Sequence, residues 1–129
     1  MKTSELTGAA LDWAVAKADD KTPKIDCTSF RDAFIYRVYL GWSYAYSSSG
    51  SIVEYCPSTD WSQGGPIIER EGIGLDQYAD YPQWHAWTPA PEQKTGEAHG
   101  LGLTPLIAAM RCYVASKLGD NIDIPEELA

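Results

Sequence analysis

The sequence predicts an α+β domain in which a small, mostly antiparallel sheet is layered with an N-terminal and a C-terminal helix. Three observations carry this expectation. Apolar residues recur at helical spacing near the two ends, as Leu11, Ala14, Val15 and Ala18 and as Ile107, Met110, Val114 and Leu118. Between them, AFIYRVYLGWSYAY at 33–46 and WHAWT at 84–88 are rich in the aromatic and β-branched residues that suit a pleated strand. The flexible turn SSSGS at 47–51 separates two strand-like runs, so a hairpin across it is the simplest pairing.

The first helix begins at Thr7, whose hydroxyl can cap it. Leu6 before the cap and Leu11 within the helix form a hydrophobic staple. Trp13 sits beside the apolar stripe. The helix ends near Ala18, because Asp19, Asp20 and the pair Thr22-Pro23 follow. Gly41 divides 33–46 into two strand-like pieces, and IVEY at 52–55 reads as a third strand.

Pro57 stops that strand, since proline cannot donate to a ladder. Ser58, Thr59 and Asp60 can each fold a turn through a side-chain oxygen. Gly64 and Gly65 each weaken a helix by about 1 kcal/mol, whereas Pro66 suits a first helical turn. An irregular turn is therefore expected at 57–65, then a helix at 66–70 anchored by Ile67 and Ile68. Ile73 and Leu75 suggest a strand, and Asp80, Tyr81 and Pro82 turn the chain. In the strand at 84–88, Trp84, Ala86 and Thr88 share one face, with His85 and Trp87 on the other. The segment 88–102 reads as a mobile polar loop that includes His99. Thr104 caps the last helix, Pro105 occupies its first turn and Gly119 stops it. Arg111 and Lys117 lie off its apolar stripe. The tail DNIDIPEEL alternates acidic and apolar residues and can lie extended against the body.

The chain has 129 residues, of which 44% are hydrophobic, and fits one domain over 1–129. No apolar run approaches the roughly 20 residues of a membrane span. Glu5 and Asp12 interrupt the N-terminal apolar stretch, so no signal peptide is read and a cytoplasmic location is expected, without membrane partners. The net charge of −8 opposes binding to duplex nucleic acid, which needs a basic face. It suits a solvated acidic surface, or one that docks on a basic host protein. Cys27, Cys56 and Cys112 are widely spaced, with no metal-ligand pattern, so buried or half-buried free thiols are expected, with no metal and no cofactor.

Two glycines before a helix start expose backbone N–H groups that can receive an anion. Ser58, Asp60, Trp61, Gln63, Gly64 and Gly65 are therefore candidate ligand contacts, with Arg111 as a clamp for a phosphate beside the 63–66 backbone. Trp42, Tyr44, Tyr46, Trp84 and Trp87 are a candidate aromatic patch, able to stack on bases or sugars. Neither GxxxxGK[ST] nor GxGxxG is present. His85 and His99 are the only histidines, and nothing in the spacing assembles a catalytic pair around them, so no enzyme is expected. The reading favoured is a binding protein for a small ligand, a nucleotide among the candidates. The alternative is an acidic inhibitor or adaptor acting on a host protein. Fifteen aromatic residues in so short a chain also lead us to expect self-association, by default a symmetric dimer.

Three blocks in order, KTSELTGAALDWAVAKA, PSTDWSQGGPIIEREGI and LTPLIAAMRCYVASKLGDNIDIP, resemble the NinX family of phage proteins. The stretches 25–54 and 78–102 depart from that pattern. The blocks between 57 and 118 are also similar, more distantly, to the phage ABA-sandwich domain, which implies a layered α+β fold. The NinX resemblance implies a phage or prophage origin and an accessory role in the cytoplasm of the infected bacterium. One consequence drawn from that role is sequestration of a host defence signal. The resemblance carries no catalytic residue onto this sequence.

Overall fold

The computed structural model describes residues 1–31, 33–40, 54–77, 83–88 and 98–129. Helix α1 spans Gly8–Ala18, strands β1 and β2 span Pro23–Phe30 and Ala33–Leu40, and helix α2 spans Trp61–Glu71. Strands β3 (Gly74–Gln77), β4 (Trp84–Trp87) and β5 (His99–Gly102) precede helix α3 (Pro105–Leu118). The architecture is α+β, as the sequence predicts, with the described residues forming a two-stranded and a three-stranded antiparallel sheet in place of a single one.

Helix α1 starts and stops where its sequence predicts. Leu6 and Leu11 are both fully buried, as a staple requires. Thr7 is the N-cap by backbone geometry, but its side chain makes no capping bond. The Lys21 N–H closes on the Ala16 carbonyl and the Asp20 N–H on Lys17, a Schellman ending with Asp20 at φ 55°.

No strand is expected from the sequence at 23–30, where β1 lies. It pairs along its whole length with β2, from Pro23↔Leu40 to Phe30↔Ala33. The first of the two pieces divided by Gly41 is β2. The second piece, and the turn at 47–51, lie outside the described residues. A single antiparallel bridge, Tyr39↔Glu54, and the Tyr55 N–H donating to the Val38 carbonyl at 2.8 Å bring the chain back onto β2. The β1–β2 pair is an arm: Val38 is buried, whereas Phe34 and Ile35 are exposed.

Helix α2 begins five residues earlier than predicted, and 57–65 is not one irregular turn. Asp60 caps it, its carboxylate accepting from the Ser62 N–H at 2.9 Å. Gly64, Gly65 and Pro66 all lie within the helix. A side chain at Gly64 would overlap the Pro57 carbonyl oxygen and approach Leu106 Cδ2 at 2.6 Å, so glycine is required by close packing. Gly72, at φ 65°, ends the helix, and the Ile73 N–H bonds the Ile68 carbonyl.

The three-stranded sheet has the order β3-β4-β5. The predicted loop at 88–102 therefore ends in a strand, and His99 belongs to it. Gly100 and Gly102 allow α3 to lie directly on β5. A Cβ at Gly100 would overlap the Ala108 carbonyl oxygen, and one at Gly102 would sit 2.7 Å from the Ala108 nitrogen. Helix α3 also packs on β4, α1 and α2, and α1 packs on β2. This central position explains its burial. Leu106, Ala108, Ala109, Met110, Cys112, Tyr113 and Val114 are all buried, whereas Leu118 of the predicted stripe is exposed. The Thr104 hydroxyl caps α3, accepting from the Ile107 N–H at 3.1 Å. The tail returns to the first residues through the Lys2↔Asn121 bridge, and Ile122 and Ile124 pack on the core. Of the free cysteines, Cys112 is buried and Cys56 half-buried, but Cys27 on the arm is exposed, contrary to expectation.

Candidate functional site

The stretch 57–65 is held by its own polar atoms. Asp60 accepts from Ser62 Oγ at 2.7 Å as well as from its N–H, and these bonds hold the Asp60 carboxyl below the ordinary range. Gln63 Oε1 accepts from the Cys56 N–H at 2.8 Å, while Nε2 donates to the Glu54 carbonyl at 2.9 Å and to Asp60 Oδ2 at 3.2 Å. The Gly64 N–H donates to the Asp60 carbonyl at 2.8 Å. The exposed amides that motivated an anion cradle at Gly64 and Gly65 are thus inside a helix. Ser58 is buried, and its N–H donates to Asp12 Oδ1 at 2.9 Å. Trp61 is exposed on the first turn of α2.

A cleft of about 500 Å³ opens beside this helix, lined among others by Tyr55, Asp60, Gln63, Asp19, Lys21 and Arg70. Its cations are matched by acids. Arg70 meets Asp19 at 3.0 Å and Glu71 at 2.9 Å, and Lys21 lies 3.8 Å from Asp19. Tyr113 adds a hydroxyl bond to Asp19 at 3.1 Å. Little positive field remains here for a phosphate.

Arg111 lines a different cleft, of about 300 Å³, together with Lys2, Ser4, His99, Leu101 and Asp120. Its Nε donates to the Leu6 carbonyl at 2.8 Å and its NH1 group to the Leu101 carbonyl at 2.7 Å. No carboxylate pairs with it among the described residues. Desolvation lowers its pKa from the ordinary arginine value, yet a guanidinium stays charged. The structure therefore separates Arg111 from the 63–66 backbone that the sequence joined to it. Burial without a counter-ion is costly, and an incoming anion relieves that cost.

The candidate aromatic patch divides as well. Trp84 packs against the core on the α3 side of the sheet, whereas Trp87 shares the outer face with His85. Trp42, Tyr44 and Tyr46 lie outside the described residues. His85 Nε2 and His99 Nδ1 are 2.8 Å apart, joined across β4 and β5. Sequence reasoning missed this pairing because His99 was placed in a loop. It also missed Lys2 and Ser4, which carry no local signal and reach the cleft only through the pairing of the chain's two ends.

No helix among the described residues is long and apolar enough to cross a membrane. No curated protein matches the chain. A family model described as Bacteriophage P22, NinX matches residues 2–117. That span takes in α1, α2, α3 up to Lys117, both sheets and the Arg111 cleft up to Ala115. The chain belongs to the bacteriophage NinX family.

Proposed function

We propose that this phage accessory protein binds a small anionic ligand in the Arg111 cleft. The observation that carries the reading is a partly desolvated guanidinium with two carbonyl partners and, among the described residues, no carboxylate. Lys2 adds a second positive charge to the lining and Ser4 a hydroxyl, while Asp120 subtracts one charge. Arginine holds oxyanions through paired N–H donors, so a phosphate or carboxylate group fits the exposed side of this site. The reading is one of binding, with Arg111, Lys2 and Ser4 as the contacts. In the cytoplasm of an infected bacterium, such a protein lowers the free concentration of its ligand, and a host defence signal is the consequence of most interest.

Thermal unfolding in inorganic phosphate, pyrophosphate and citrate tests this. A ligand at 100 times its Kd adds about 2.7 kcal/mol to folded-state stability, which raises Tm by several degrees. Lys2→Ala and Arg111→Gln should remove that rise. An unchanged Tm in all three anions, with no binding heat by calorimetry, would refute the reading.

A second reading is an acidic adaptor on a host protein, favoured by the exposed Phe34 and Ile35 of the arm and the net charge of −8. Salt separates the two. Capture of a basic host protein should weaken steeply between low and physiological ionic strength if the acidic surface steers it.

A further inference from the structure

We infer that the ligand of the Arg111 cleft is a mononucleotide, with its base on a flat row of three rings, Trp87, His85 and His99. This rests on the anion site just proposed and adds a second subsite to it.

The row follows from strand parity. Gly100 and Gly102 face α3, so His99 and Leu101 face outward. Cross-strand pairing puts His85 opposite Leu101 and Asp76, and Trp87 opposite His99 and Gly74, on that same outer face. Gly74 has no side chain, and the Trp87 indole lies across it. A Cβ there would overlap the ring atoms Cε2 and Cζ2. The indole therefore lies down on the sheet instead of standing away from it.

His85 continues this surface. Its ring centre is 5.4 Å from Trp87, with the planes within 28°. The His85 and His99 planes differ by 6°, with centres 5.0 Å apart and nitrogens at 2.8 Å. Two parallel rings with facing nitrogens at that distance meet edge to edge, not one above the other. The result is a shallow aromatic floor, fixed by a ring-to-ring hydrogen bond on two paired strands. Its end ring, His99, also lines the Arg111 cleft. A planar base on the floor and a phosphate at Arg111 are therefore contiguous.

The two subsites together select the ligand class. A sugar phosphate has no flat π-face to place on the floor, and a nucleoside has no anion for Arg111. A longer strand would carry further phosphates toward Asp76 and Asp120, on a chain of net charge −8. One base with one phosphoryl terminus fits these limits.

The test is calorimetric titration of the full chain with AMP, UMP, ribose 5-phosphate and a dT10 oligonucleotide. At least one mononucleotide should bind about tenfold or more tightly than ribose 5-phosphate, the scale of a single base–aromatic stack. Trp87→Leu should abolish that difference while leaving the Kd for ribose 5-phosphate unchanged. If this variant unfolds, His85→Gln, checked by circular dichroism, replaces it. Equal affinities for nucleotide and ribose 5-phosphate overturn the base subsite and leave the anion site standing. Tighter binding of the oligonucleotide overturns the mononucleotide assignment. Absence of binding by all four overturns both readings.

Discussion

Asp12 lies on α1 with its carboxylate buried against Ser58, whose hydroxyl is also buried and has no hydrogen-bond partner among the described residues. Desolvation raises the Asp12 pKa from 3.8 to about 6, against the opposing pull of hydrogen bonding from Ser58. The native state therefore holds a proton that the unfolded chain has lost between those two values. Its stabilising effect is complete below about pH 4 and disappears as pH rises through about 6. Asp12→Asn keeps an oxygen for the Ser58 N–H and offers an amide donor to the idle hydroxyl. It should add on the order of 2 kcal/mol at pH 7.5 and little at pH 4, measured by urea denaturation at both. Equal effects at the two pH values would rule out the ionisation argument. Gly64 and Gly65 form a second contrast between adjacent residues. Gly64→Ala places a methyl against Pro57 and Leu106 and should cost about 1–3 kcal/mol. Gly65→Ala meets only Trp61, at 4.0 Å, and should gain about 0.5–1 kcal/mol from helix propensity. Similar losses at both would mean that the helix tolerates neither for a shared reason.

The helix ends differ in how their caps work. Thr104 uses its side chain and Thr7 does not. Thr104→Ala should lower stability by about 1 kcal/mol, whereas Thr7→Ala should change it by only a few tenths. Chemical denaturation of the two variants checks this, and a loss at Thr7 matching that at Thr104 would contradict it. Elements with strong local signals were legible in the sequence: α1, α3 and the alternating faces of β4. The start of α2 was not, because Gly64, Gly65 and Pro66 disfavour a helix locally. The Asp60 cap and the contact of Gly64 with Pro57 override that preference. Strand β5 was hidden for a related reason. HGLG reads as a loop, yet both glycines are there to admit α3. Strand β1 was lost behind Pro23, which ends α1 in sequence terms but also opens the arm. Arg111 was legible as a polar residue on an apolar helix, but its neighbours were not. They come from Lys2 and Asp120, which no local pattern connects.

Across the whole molecule, the elements packed around α3 are joined to a two-stranded arm that reaches them, among the described residues, through α1. A two-stranded hairpin is marginal alone, and exposed Phe34 and Ile35 give it apolar surface to bury. We predict concentration-dependent dimerisation in sedimentation, shifted toward monomer by Phe34→Ser with Ile35→Ser. A wild-type protein that stays monomeric at high concentration would remove this expectation. Helix α3 lies at the centre of the packing, and the Arg111 cleft draws its lining from residues as far apart as Lys2 and Asn121. The Thr3 hydroxyl donates to the Gly119 carbonyl across 116 residues, and Arg111 reaches Leu6 across 105. A ribosome therefore releases everything from α1 through α3 before the two helices can pair. Throughout elongation, Leu11 and Val15 remain without their final neighbours, and the nascent chain has no cleft. The cleft accordingly forms only once α3 has emerged, and a ribosome stalled before α3 would display a chain that chaperones and proteases see as unfolded.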